Sequence, residues 1–236
     1  DARESRGLGD VYKRQFCGDK RSNKLYMSYS VKEIYLTLQG EGFHTGKDAV
    51  FCRFSGCNLW TGLEKDREKA ICNFCDTDFV GTDGINGAKY SSAEQLASKI
   101  DELWQKDSQE KFVVFTGGEP LLQLNKELID ILHNKNFKIA VETNGTIIPP
   151  KNIDWICVSP KKGAEFNLDY GNELKLVYPQ EGLNPEQFKN YDFDHFFLQP
   201  MDVKDLQRNI LQSVSYCIEN PLWRLSLQTH KIMGID

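Results

Sequence analysis

The chain alternates short apolar segments with amphipathic ones from about residue 27 onward, and this alternation restricts its fold more than any other feature. Apolar runs rich in Val, Ile and Phe predict strands at 31–36, 49–54, 111–116, 138–142, 154–159, 173–178, 195–199 and 223–228. Apolar residues at helical spacing predict helices at 91–104, 124–133 and 203–219, the first opened by a capping box from Ser91 to Glu94. Strands that alternate with helices indicate one α/β domain built on a mostly parallel sheet.

The patterned part of the chain is short for a regular barrel. About 200 residues are few for eight βα units, and segments 163–171 and 180–190 look like loops rather than helices. We therefore expect a modified, incomplete (βα) barrel in a single domain. Ligands of parallel α/β folds bind at the carboxyl ends of the strands, which places Thr116, Glu142, Ser159 and Gln199 at one rim.

Three cysteines have a spacing that suits a metal site, because Cys57 is followed after fourteen residues by Cys72 and then Cys75. Three thiolates can hold three irons of a cubane cluster and leave the fourth iron open for another ligand. A Cys-x2-Cys pair is also half of a common zinc site, for which Cys52 is a candidate fourth ligand. The position of Cys52 inside an apolar strand favours a buried core residue instead.

Composition limits the partners and the compartment. The net charge is −5 and there is no basic run, so we do not expect a nucleic-acid partner. No apolar stretch is long enough to span a bilayer and no secretory segment is evident, so we expect no membrane partner and a cytoplasmic location. Residues 1–26 are rich in charge and glycine and lack apolar periodicity. We expect them to be a disordered or non-native extension of a domain at 27–236, with a partner-docking arm as the alternative.

Eight motifs distributed along the patterned chain resemble those of one enzyme family. They are TLQGEG from Thr37, FCRFSGCNLW from Phe51, CNFCDTD from Cys72, TGGEP from Thr116, ETNG from Glu142, SPK from Ser159, QPMD from Gln199 and QTHK from Gln228. The chain resembles the 7-carboxy-7-deazaguanine synthases, radical S-adenosylmethionine (SAM) enzymes of queuosine and deazapurine biosynthesis. The superfamily as a whole has three residues between its first two cysteines, and the spacing of fourteen resembles a subgroup of these synthases.

The resemblance implies a 4Fe–4S cluster held by Cys57, Cys72 and Cys75, with SAM on the open iron. It implies conversion of 6-carboxy-5,6,7,8-tetrahydropterin to 7-carboxy-7-deazaguanine, a lyase reaction with ring contraction and loss of ammonia. It also implies Mg²⁺, a flavodoxin- or ferredoxin-type electron donor and a homodimer. Two alternatives stay open: another radical SAM enzyme or activase with a different substrate, and a four-cysteine zinc-binding interaction module.

The resemblance also assigns individual residues. The implied SAM contacts are Asp76, Gly117, Gly118, Glu119, Ser159, Pro160, Lys161, Gln199, Pro200, Met201 and Asp202. The implied substrate contacts are Leu38, Gln39, Gly40, Glu41, Arg53, Thr116, His230 and the main-chain carboxylate of Asp236. Thr77 is the implied Mg²⁺ ligand, and magnesium does prefer oxygen ligands. Glycines at 117 and 118 would let the backbone approach the cofactor, and the fork of Arg53 suits a carboxylate.

Overall fold

The computed structural model describes residues 28–105 and 110–235. The expected extension at 1–26, the expected start at Met27 and the Asp236 carboxylate lie outside the described residues, so those predictions stay predictions. The strands are β1 (Tyr29–Leu38), β2 (Asp48–Phe54), β3 (Ala88–Tyr90), β4 (Lys111–Gly117), β5 (Phe137–Thr143), β6 (Trp155–Val158), β7 (Tyr170–Tyr178), β8 (Asp192–Pro200) and β9 (Trp223–Leu225). The α-helices are α1 (Ala93–Leu103), α2 (Lys126–Asn134), α3 (Leu206–Glu219) and α4 (Thr229–Met233), and short 3₁₀ helices lie at Glu64–Lys69, Pro120–Leu122 and Pro185–Phe188.

Within these described ranges, nine strands form one sheet in the order β3-β1-β2-β4-β5-β6-β7-β8-β9. The strands from β2 to β9 in this order are parallel, whereas β1 is antiparallel to both β2 and β3. The two edges, β3 and β9, do not pair with each other, so the sheet is open. The expectation of a modified, incomplete barrel in an α/β fold is confirmed.

Two apolar cores hold the helices on the sheet. The larger core packs α1 and α2 against β1, β2, β4 and β5, with Leu96, Ile100, Leu128 and Leu132 fully buried. The smaller core lies around β6 to β9 and includes Trp223. Asn125 caps the start of helix α2, and its side chain accepts a hydrogen bond from the Leu128 N–H at 3.0 Å. None of the helices in the described part of the chain is long and apolar enough to cross a bilayer.

The structure differs from the sequence predictions at several local points. Ser92 rather than Ser91 caps α1, because it is Ser92 whose hydroxyl accepts from Gln95 N. The last predicted strand ends at Leu225 and not at 228, because the chain then turns toward the short helix α4. Strand β7 already begins at Tyr170, inside a predicted loop, and the loop at 180–190 contains a 3₁₀ helix. Strand β3 was not predicted, since its three residues are ordered by pairing with β1.

Candidate functional site

A cavity of about 510 Å³ opens at the carboxyl ends of the parallel strands. All the site residues predicted from the sequence line it except Glu119, Pro160 and Asp236, of which Asp236 lies outside the described residues. The four strand-end residues expected at one rim, Thr116, Glu142, Ser159 and Gln199, are among them. The walls come from both ends of the sheet, from β1 to β8, so the sheet curves around the cavity as a barrel does.

The three spaced cysteines share one wall of the cavity. Cys72 is buried, whereas Cys57 and Cys75 are partly exposed. The Cys72 thiol donates a hydrogen bond to Cys75, and this bond lowers the pKa of Cys75 to about 6 and raises that of Cys72. Burial raises the pKa of Cys57. The hydrogen bond thus favours the thiolate form of Cys75, and thiolates are the form that binds metal.

Cys52 is separated from this wall by the sheet itself. Successive residues of a strand point to opposite faces, and Phe51 and Arg53 line the cavity while Cys52 is fully buried in the larger core. Burial raises the pKa of the Cys52 thiol far above its ordinary value. Among residues 28–105 and 110–235, no three His, Cys, Asp or Glu side chains are close enough together to hold a single metal ion. Cys52 is thus a core residue, and the four-cysteine zinc site has no geometric support.

Two glycines bring the backbone of the β4 end against the Cys57 loop. Gly117 has φ +144°, and a Cβ there would lie 2.3 Å from the carbonyl oxygen of Phe54. A Cβ at Gly118 would lie 2.2 Å from the carbonyl oxygen of Gly56 and 2.6 Å from the Cys57 Cβ. Both contacts are too short for any side chain. The TGGEP motif therefore forms a backbone surface beside Cys57 that only glycine allows.

Glu119 and Pro160 do not reach the cavity. The Glu119 side chain is fully buried, and its carboxylate accepts hydrogen bonds from the Thr143 hydroxyl at 2.8 Å, Asn144 N at 2.8 Å and Leu121 N at 3.0 Å. Burial raises its pKa. Glu119 thus joins the end of β4 to the end of β5 from behind the cavity wall, and its contact with SAM stays a prediction.

A buried ion network that the sequence did not predict forms the cavity floor. Lys175 Nζ lies 2.7 Å from Glu41 Oε2 and 2.9 Å from Glu142 Oε2, and its side chain is 5% exposed. The Gln39 amide donates to Glu142 Oε1 at 3.2 Å. The desolvation of Glu41 is outweighed by Lys175, which lowers the Glu41 pKa to about 2. Two carboxylates and one ammonium leave the floor with a net negative charge.

The short helix α4 closes one side of the cavity. Thr229 donates through its N–H and its hydroxyl to the Gly40 carbonyl oxygen, at 3.0 and 2.9 Å. Lys231 Nζ bridges Asp76 at 2.6 Å and Asp202 at 2.5 Å. A Cβ at Gly40 would lie 2.2 Å from His230 Nδ1, so glycine is required for α4 to pack this closely. The helix thereby joins the Gln39 loop, the loop after Cys75 and the end of β8.

Two cations face the cavity from opposite walls. Arg53 Nε donates to Glu33 at 2.7 Å and its Nη2 donates to the Tyr35 hydroxyl at 3.2 Å, which fixes the plane of the guanidinium. Lys161 Nζ donates to the carbonyl and hydroxyl oxygens of Ser159 at 2.7 and 2.6 Å. Burial lowers the pKa of Lys161. The cavity thus offers a cation beside the cysteine wall, a second cation near β2, and acceptors on its floor.

Comparisons with known proteins agree with this geometry. The model of the radical SAM superfamily matches residues 68–230. The 7-carboxy-7-deazaguanine synthases of Caulobacter vibrioides and Bradyrhizobium diazoefficiens are 58% and 57% identical over 209 residues, which is 89% of this chain and 100% of each relative. The crystal structure of QueE from Escherichia coli superposes with a TM-score of 0.61 at 27% identity, covering 88% of this chain and 98% of that one.

Proposed function

The chain belongs to the 7-carboxy-7-deazaguanine synthase family of the radical SAM superfamily, and from this premise we propose that its cavity converts 6-carboxy-5,6,7,8-tetrahydropterin to 7-carboxy-7-deazaguanine. The observation that carries the proposal is that residues from all eight sequence motifs meet around one cavity. The parallel sheet brings the strand ends together, and the polar, glycine and cysteine residues of the motifs at those ends supply the chemistry that a shared ligand requires.

The residues present fit a 4Fe–4S cluster with SAM. Cys57, Cys72 and Cys75 are the only described cysteines on the cavity wall, and three thiolates leave a fourth iron open. Bound there, the cluster and SAM would supply the one-electron chemistry needed to abstract a hydrogen atom from the substrate, which the side chains of the cavity cannot supply by themselves. The glycine surface at 117–118 admits a ligand close to the backbone, and Lys161 provides a partly buried cation beside the cysteines.

The cavity floor suits the hydrogen-bond donors of a pterin ring. Glu41 and Glu142 are carboxyl groups that can accept hydrogen bonds, and a pterin presents its amino group and ring N–H groups along one edge. The Nε and Nη2 groups of Arg53 already donate to Glu33 and to the Tyr35 hydroxyl. Its Nη1 group carries two further N–H donors for a substrate carboxylate. The floor and Arg53 would therefore orient the ring from two sides and keep the reacting carbon still.

Thr77 is our proposed magnesium ligand. It lines the cavity between Asp76 and Asp78, both of which carry lowered pKa values. Their carboxylates already bind Lys231 and Lys32, so they would raise the negative potential near the ion rather than coordinate it directly. A single threonine oxygen, with substrate oxygens and waters, fits the habit of Mg²⁺ to keep most of its shell non-protein.

The remaining elements of the proposal follow from the chemistry. A cluster needs reduced thiols and an electron source, so we propose a reducing, cytoplasmic location and a flavodoxin- or ferredoxin-type donor. A homodimer is the family expectation and is proposed on that ground.

The test is anaerobic purification, reconstitution with iron and sulfide, and assay with SAM, dithionite, Mg²⁺ and 6-carboxytetrahydropterin. A brown protein that forms 7-carboxy-7-deazaguanine supports the proposal, and a Cys57→Ala variant should lose both colour and activity. Cys52→Ala is the matched control and should keep both. A brown protein that cleaves SAM without forming the product would indicate a different substrate, and a colourless zinc protein would refute the radical chemistry.

A further inference from the structure

The fourteen-residue segment between Cys57 and Cys72 contains an arginine that contacts the main chain of the Cys72–Cys75 turn. Arg67 lies in the 3₁₀ helix Glu64–Lys69. Its Nη1 donates to the main-chain carbonyl oxygens of Asn73 and Cys75, each at 3.0 Å. These two carbonyls belong to the turn that presents Cys72 and Cys75 to the cavity.

Arg67 is itself held in a fixed orientation. Glu64 accepts from its Nε at 2.8 Å and from its Nη2 at 2.5 Å, a bidentate pair. The guanidinium carbon also lies 4.1 Å from the centroid of the Trp60 ring, within cation–π range. Trp60 is buried and follows Cys57 by three residues. One side chain therefore connects the segment after Cys57 with the turn between Cys72 and Cys75.

An ordinary surface ion pair would not have this geometry. The Glu186–Lys189 pair has the same spacing of three residues, and both of its side chains are about half exposed. The Arg67 side chain is 29% exposed and directs both hydrogens of one nitrogen to two loop carbonyls. Lysine, with a single nitrogen and no planar fork, cannot bind carboxylate, ring face and carbonyls in this way.

We propose that Arg67 is a positioning residue for the iron–sulfur site: it clamps the Cys72–Cys75 turn and adds a positive charge beside the cluster. The inference rests on the proposed function, because it requires that these cysteines bind the cluster. Clamping should slow the loss of iron from the reconstituted protein. The Glu64 partner is 76% exposed, so solvent screens its charge more than that of Arg67, whose Nη1 contacts the turn. The guanidinium should therefore also favour the reduced cluster, because reduction adds negative charge, and hence raise the midpoint potential.

The experiment compares wild type, Arg67→Ala, Arg67→Lys and Lys189→Ala, all reconstituted anaerobically. Absorbance follows the release of iron to a chelator, and EPR during a redox titration gives the midpoint potential. Hydrogen exchange of residues 72–77 in the iron-free protein reports how firmly the turn is held. We expect iron release to accelerate roughly tenfold in both Arg67 variants, because two hydrogen bonds from a charged donor are lost. Exchange at 72–77 should accelerate with it, and the potential should fall in Arg67→Ala but much less in Arg67→Lys.

Two results would overturn the inference about Arg67 and leave the proposed function standing. The first is a wild-type protein that binds its cluster and turns over the pterin while Arg67→Ala releases iron and exchanges amides as slowly as Lys189→Ala. The second is complete recovery of iron retention and exchange in Arg67→Lys, which would assign the effect to charge rather than to the clamp. A wild-type protein that binds no iron would instead overturn the proposed function, and this inference with it.

Discussion

Lys175→Met removes the cation from the cavity floor and leaves the rest of the side chain in place. Lys175 Nζ contacts Glu41 at 2.7 Å and Glu142 at 2.9 Å, and its side chain is 5% exposed. Methionine keeps the length of the stem without the charge. Two partly buried carboxylates would then face each other without a cation, keeping only the amide donors of Gln228 and Gln39. Removing one partner of a buried ion pair costs about 3–5 kcal/mol, and we expect the lower end of this range here.

The pKa of Glu41 gives a second estimate of how much the Lys175 ion pair contributes to the free energy of unfolding. Burial alone would raise this pKa, but Lys175 outweighs burial and lowers it to about 2 from the ordinary 4.5. Because the folded-state pKa is lowered, ionised Glu41 stabilises the fold above pH 4.5, and this stability is lost as the pH falls toward 2. At about 1.4 kcal/mol for each pKa unit, the contribution at neutral pH is about 3 kcal/mol, in agreement with the first estimate.

Urea unfolding of the iron-free protein, followed by tryptophan fluorescence, measures this contribution. We expect Lys175→Met to lower the free energy of unfolding by about 3 kcal/mol at pH 7 and by about half as much at pH 3. Lys32→Met is the matched control. Lys32 also lies 2.8 Å from each of two carboxylates, those of Asp78 and Asp83, but these side chains are 71% and 81% exposed. Lys32→Met should therefore lower the free energy of unfolding by about 1 kcal/mol or less. A cost for Lys175→Met no larger than that of the control, or one that does not shrink at low pH, would refute the reasoning.

Three further substitutions test the cavity wall, a buried carboxylate and the substrate clamp. Gly118→Ala places a Cβ 2.2 Å from the Gly56 carbonyl oxygen and should reduce the iron bound per chain to roughly half or less, so full iron content by colorimetric assay would contradict the tight contact. Burial raises the pKa of Glu173 to about 7, so its stability contribution is present below pH 4.5 and lost as the pH rises through 7. The free energy of unfolding of the wild type should therefore fall by about 2 kcal/mol between pH 5 and 8 because of Glu173, and Glu173→Gln should remove this fall. If urea unfolding gives the same pH profile for both proteins, Glu173 is not the source of the fall. Arg53→Lys keeps the charge but not the fork, and should raise KM for the pterin about tenfold without changing substrate-free SAM cleavage; equal KM values would exclude a bidentate contact.

The longer elements were predictable from the sequence because their apolar residues repeat with the period of a strand or a helix. The short elements were not, since their order depends on distant partners. Strand β3 has three residues that pair with β1, and α4 has five residues tied by Thr229 to Gly40. No local pattern in either segment distinguishes it from a loop.

The cavity wall was predictable where a motif follows a strand, and not where polar residues lie inside one. Lys175 stands between Leu174 and Leu176, and a lone lysine in a strand ordinarily indicates a solvent-facing side. Here both faces of β7 are buried, because the curved sheet turns the lysine inward. The hydrogen bonds of Glu119 were not predictable either: its carboxylate accepts from the backbone N–H groups of Leu121 and Asn144, which come near it only after folding.

The contact between α4 and the Gln39 loop has a consequence for the nascent protein. Thr229 and Gly40 are 189 positions apart. At a translation rate of 5–20 residues per second, roughly 10–40 s pass between synthesis of the two. During that interval the Gln39 loop lacks the two hydrogen bonds from Thr229 that hold it in the complete fold. The side of the cavity that α4 closes is therefore the last to form, whatever the order in which the other walls fold.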